Sequence, residues 1–152
     1  MLFQRINRTD PEKVFIIAKN AETAALTAGQ VTEFLMNGTD DGLAVGNPTA
    51  NNGALVAGIA ASAIPASDYG LVQVYGLFDT AVQRPYGTAS NAAGSVGQIL
   101  DVLSASSCLY YVAASAAVMG AGSCAVFVRA ESAATQTAST ITTTGKVFIR
   151  CL

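Results

Sequence analysis

Gly70-Leu71-Val72-Gln73-Val74-Tyr75-Gly76 is the stretch that decides the fold class. Side chains alternate across a strand, so Val72 and Val74 face one way and Leu71, Gln73 and Tyr75 the other. The residues between the two glycines are mostly β-branched, aromatic or aliphatic, and the glycines read as its two ends. The same vocabulary recurs on both sides of it. Val14-Phe15-Ile16-Ile17 is a compact apolar run bounded by Lys13 and Lys19. Further strands are expected at 31–36, 43–45, 54–60, 81–83, 99–103, 109–113, 125–129 and 146–152.

Turn chemistry separates these runs. Thr27-Ala28-Gly29-Gln30, Asn37-Gly38, Asp40-Asp41-Gly42 and Ile64-Pro65-Ala66-Ser67-Asp68 all carry turn residues. Residues 133–144 are rich in Thr, Ala and Ser and suit an exposed strand or a loop. One short helix near 112–119 is the competitor, because its Ala-rich stretch favours helix. The expectation is an all-β chain: a small antiparallel β-barrel or sandwich, with 13–152 as one β-rich domain after an extended arm, 1–12. Lys-Val-Phe-Ile occurs at both Lys13–Ile16 and Lys146–Ile149. That pair of strings predicts terminal strands that lie adjacent and close a sheet or barrel.

Composition narrows function. The chain has 152 residues, 51% hydrophobic and only 12% charged. A surface so poor in charge is covered by small residues or by other chains. Arg5 and Arg8 are the sole basic pair, so the footprint of a nucleic-acid binder is missing and no nucleic-acid partner is expected. The apolar stretch 108–128 is long enough to span a bilayer, but its bulk is Ala, interrupted by Ser and Gly, so no membrane partner is expected either.

Chemistry is sparse. There is no histidine, which removes Ser-His-Asp and Cys-His catalysis and the commonest metal ligand. Cys108, Cys124 and Cys151 have neither disulfide nor metal spacing. The ten acids are scattered, mostly beside turns, and Asp40-Asp41-Gly42 lacks the ligand pattern of a calcium loop. Gly120-Ala121-Gly122-Ser123-Cys124-Ala125 fits the dinucleotide spacing, yet Val126-Phe127-Val128 follows where a helix is needed. No catalytic, cofactor-binding or metal-binding residue is assigned, no cofactor is expected, and the chain is read as not an enzyme.

Asp10-Pro11-Glu12-Lys13-Val14-Phe15-Ile16-Ile17, Tyr69-Gly70-Leu71-Val72-Gln73-Val74-Tyr75-Gly76 and Lys146-Val147-Phe148-Ile149-Arg150 together resemble small virion proteins of tailed bacteriophages, including capsid decoration (cement) proteins. The resemblance covers the two ends and the centre of the chain. It implies a β-rich, non-catalytic homo-oligomer, a trimer, on the exterior of the virion. There such a protein clamps major capsid protein subunits, after synthesis in the bacterial cytoplasm. The alternative is a receptor- or glycan-binding β-module of a phage tail or adhesin, with Tyr69, Tyr75, Tyr86, Tyr110 and Tyr111 as the candidate stacking rings.

Overall fold

The structure is a computed structural model. It describes residues 11–36, 38–49, 55–85, 93–94, 96–97, 99–102, 107–111, 128–130, 134–135 and 143–151. These form strands and turns and no α-helix. The strands are β1 (Val14–Asn20), β2 (Val31–Phe34), β3 (Ala44–Gly46), β4 (Val56–Ala60), β5 (Tyr69–Pro85), β6 (Ala93–Gly94), β7 (Ile99–Val102), β8 (Leu109–Tyr111), β9 (Val128–Ala130), β10 (Ala134–Thr135) and β11 (Thr143–Arg150). The all-β expectation holds. The competing short helix near 112–119 and the arm residues 1–10 lie outside the described residues.

Pairings β1–β3–β2–β4–β5 return to β1 and close a five-stranded barrel. The remaining strands of the large sheet do the same. Pairings β5–β11–β9–β7–β8 return to β5 and make a second five-stranded ring. β5, 17 residues long, serves both rings: 69–75 pair with β1, and 75–83 with β11. Two separate strands were expected here, at 70–76 and 81–83; they are one. Gly76 does not end a strand but sits within it at φ +102°, where the two rings meet. A glycine inside a strand at positive φ marks a bulge or close backbone approach rather than a terminus.

The terminal strands are adjacent, as the Lys-Val-Phe-Ile strings predicted, and each closes one ring. They stand in tandem along one edge of β5, with Val14 and Arg150 both registered against Tyr75. The two lysines of the strings converge on one carboxylate, with Lys13 Nζ 3.9 Å and Lys146 Nζ 3.7 Å from Asp79. Two pairings are parallel, β1–β3 and β5–β8, where an antiparallel barrel was expected.

The rings are one plan used twice. Label the strands of each ring a to e in chain order: β1 to β5 in the first, and β5, β7, β8, β9 and β11 in the second. Both then have the order a-c-b-d-e, with a–c the parallel pair. Register agrees at pairs along every strand, apart from bulges. Val31↔Ile59 recurs as Ile99↔Arg129, and Glu33↔Gly46 as Asp101↔Tyr110. Asn20↔Val45 recurs as Gln83↔Leu109, and Ala60↔Val72 as Ala130↔Val147. Even the isolated Leu26↔Ile64 bridge has its counterpart, Gly94↔Ala134 in the β6–β10 pair. Gly29 and Gly97, each at φ +85°, open strand b in the two copies.

The cores follow the repeat. Ala18, Val45 and Val72 are buried in the first ring, and their counterparts Ala81, Leu109 and Val147 in the second. Val31, Val56 and Ile59 lie on the opposite face of the first ring and join the second core, which fastens the rings side by side. Volume is redistributed between copies. The first ring fills its interior with Leu26 and Ile64. The second has Gly94 and Ala134 paired at the matching register positions, and buries Leu100 and Leu109 where the first has Thr32 and Val45. Interiors close-pack, so a large side chain lost at one position must be regained at another.

Candidate interaction surface

β1 and the first half of β5 form an antiparallel ribbon with one face inside the first ring. Ile16, Ala18 and Val72 point in and pack with its core. The alternating residues point out. Phe15 is 41% exposed, Ile17 67%, Tyr69 54% and Leu71 46%. Register places Ile17 opposite Leu71, and Tyr69 beside them opposite Lys19. Directly opposed side chains on one sheet face are close neighbours, so these four form one contiguous apolar stripe. Buried Gln73 stiffens the ribbon next to it, donating from Nε2 to the carbonyls of Tyr75 (3.2 Å) and Leu77 (3.1 Å).

The second ring is an internal control for this stripe. Its Lys146 stands where the first ring has Leu71, and Thr144 where the first has Tyr69. Asp79, on the strand equivalent to β1, faces out beside them. Those positions are solvated and polar, so the strand plan does not require apolar residues on its outer face. The first ring nevertheless exposes large apolar side chains, Leu71 and Tyr69, at those positions.

Among the other residues singled out from sequence, the structure brings few together. Asp40 meets Lys19 at 3.3 Å. Asp41 accepts the Gly38 amide at 2.8 Å, and the Leu43 amide bonds the Asp40 carbonyl at 3.0 Å, so Asp40-Asp41-Gly42 forms a turn as expected. Among the described residues no three of His, Cys, Asp and Glu converge as a metal cluster. No helix among them is long and apolar enough to cross a membrane. Of the tyrosines, Tyr69 is exposed, Tyr75 packs edge-on against Phe148 at 5.3 Å and Tyr110 is buried. Gly120 to Ala125, Cys124 and Tyr86 lie outside the described residues.

Cys108 is buried, and Cys151 packs against the second core. Burial disfavours the thiolate and pushes the Cys151 thiol up to about 12. Thiolate is the reactive form, so Cys151 is expected to resist alkylation at pH 8 in the native protein. Iodoacetamide labelling read by mass spectrometry checks this. Labelling of Cys151 should be at least tenfold slower natively than in denaturant; equal rates would contradict it.

The fold and this surface define a doubled β-barrel protein with one exposed apolar stripe. Compared with known protein families and with curated proteins, the chain matches none.

Proposed function

We propose that this chain is a non-catalytic structural protein of a tailed-phage virion. It sits as a homotrimer on the outside of the head and clamps neighbouring major-capsid subunits. The observation that carries this reading is the apolar stripe Phe15, Ile17, Tyr69 and Leu71, set on a double ring whose second copy has Lys146 and Thr144 where the first has Leu71 and Tyr69. The sequence supports it with a surface poor in charge and no histidine. An apolar stripe of this kind supplies modest affinity per copy, and three linked copies multiply it.

The test is an Ile17→Lys/Leu71→Lys double variant mixed with purified heads of the phage that encodes the protein. Both positions face solvent, so circular dichroism should match wild type. Occupancy on the heads is expected to fall at least tenfold. Unchanged occupancy, or absence of the wild-type protein from gradient-purified virions, would overturn the proposal.

A further inference from the structure

The first ring carries a second feature, away from the stripe, where β3 runs into the residues after it. Glu33 on β2 is 1% exposed and registered against Gly46 on β3. Its Oε1 accepts the Thr49 amide at 2.6 Å and the Thr49 hydroxyl at 2.5 Å. Its Oε2 is buried and meets no donor, and Asn47 Oδ1 is in the same condition. A second carboxylate lies over the same glycine. Glu22 Oε1 accepts the Asn47 amide at 2.8 Å and occupies the space that a Cβ on Gly46 would claim, 2.5 Å away.

Buried oxygens without donors cost free energy, more so on a carboxylate, and in native proteins each calls for a water or an ion. The second ring again serves as control. There Asp101 replaces Glu33 and Tyr110 replaces Gly46. Asp101 accepts the Val102 amide at 2.8 Å. The strand plan is therefore satisfied without this cluster, and the first ring built it separately.

We infer that Glu22, Glu33 and Asn47 hold a divalent cation of the hard, oxygen-seeking class, with calcium the best fit. All donors are carboxylate or amide oxygens, which excludes soft-metal preference. Calcium tolerates irregular geometry and mixed protein and water ligands, whereas magnesium demands a near-ideal octahedron. Bound calcium ties β2, the residue after β3 and the connection that leaves β1 into one unit.

The experiment uses full-length protein stripped with EDTA and titrated with CaCl2 or MgCl2, read by calorimetry and by thermal unfolding. CaCl2 is expected to bind with micromolar to millimolar affinity and to raise the Tm by mass action. Glu33→Gln should lose at least tenfold in affinity and most of the Tm shift, while remaining folded in EDTA. Glu22→Gln, at a less buried position, gives the same reading if the first variant fails to fold. Absence of binding heat and Tm shift with CaCl2 overturns the inference and leaves water on these oxygens. So does a shift that MgCl2 matches, or one that both variants retain.

Discussion

Gly76→Ala is expected to destabilise the protein by more than about 3 kcal/mol, enough to unfold a domain of ordinary stability at physiological temperature. Two costs add. At φ +102° any L side chain is strained. The new Cβ would also land on the Glu12 carbonyl oxygen and beside the Lys13 Cα, and backbone atoms cannot rotate away as a side chain would. The site is the junction of the rings. The end of β11 and the start of β1 meet there along β5, and the Cys151 amide bonds the Val74 carbonyl at 2.9 Å. Gly42→Ala is the control. Gly42 has a similar positive φ, +77°, but nothing lies within 4 Å of its would-be Cβ. Only the conformational cost remains there, about 1 kcal/mol. Urea unfolding of both variants measures the difference, and equal midpoints would show that the junction tolerates a side chain.

The second large effect is expected at Asn20, whose side chain is fully buried. Its Nδ2 donates to the carbonyls of Ala24 (2.9 Å), Ile64 (2.9 Å) and Pro65 (3.1 Å), and its Oδ1 accepts the Glu22 amide at 2.9 Å. One amide thereby fastens the end of β1 to the two connections that carry Leu26 and Ile64 into the first core. Asn20→Asp is isosteric yet turns the donor into an acceptor aimed at three carbonyl oxygens. A loss above about 3 kcal/mol at neutral pH is expected. The introduced carboxyl would be disfavoured as an anion in the folded state, so its folded pKa lies above the unfolded value of about 3.9. Its deficit relative to wild type is therefore smallest below about pH 4 and grows as pH rises through the folded pKa. Paired denaturation curves at acid and neutral pH check both size and sign. A deficit independent of pH would mean that the carboxyl finds a donor or reaches solvent.

Glu22, Glu33 and Asn47 show why a site can stay hidden in a sequence. They are separated in the chain and look like ordinary turn and strand residues. Register between β2 and β3 sets Glu33 against Gly46, and the missing side chain of Gly46 leaves the space that Glu22 fills as it bonds the Asn47 amide. The stripe was hidden differently. Val14-Phe15-Ile16-Ile17 is apolar on both faces, so its pattern does not single out an outer face, and only the barrel turns Phe15 and Ile17 outward.

The repeat was written in the sequence in faint form. Gly29-Gln30-Val31-Thr32-Glu33-Phe34 and Gly97-Gln98-Ile99-Leu100-Asp101-Val102 share their opening dipeptide and the place of the acid. So do Gly70-Leu71-Val72-Gln73-Val74 and Gly145-Lys146-Val147-Phe148-Ile149 share Gly and Val at matching places. Copies of a strand plan preserve backbone pairing and total interior volume, which many residue combinations satisfy. Residue identity therefore drifts while register stays.

What the sequence determined alone was local: which runs are extended, where the chain turns, and that its chemistry is meagre. Those properties follow from alternation, β-branching, turn residues and composition, which act over a few neighbours. The tertiary structure decided that β5 belongs to two rings, that Gly76 is a junction and that Leu71 and Tyr69 face outward where their copies are Lys146 and Thr144. Pairing and facing depend on contacts between residues far apart in the chain, and alternation separates the two faces of a strand without saying which one meets water.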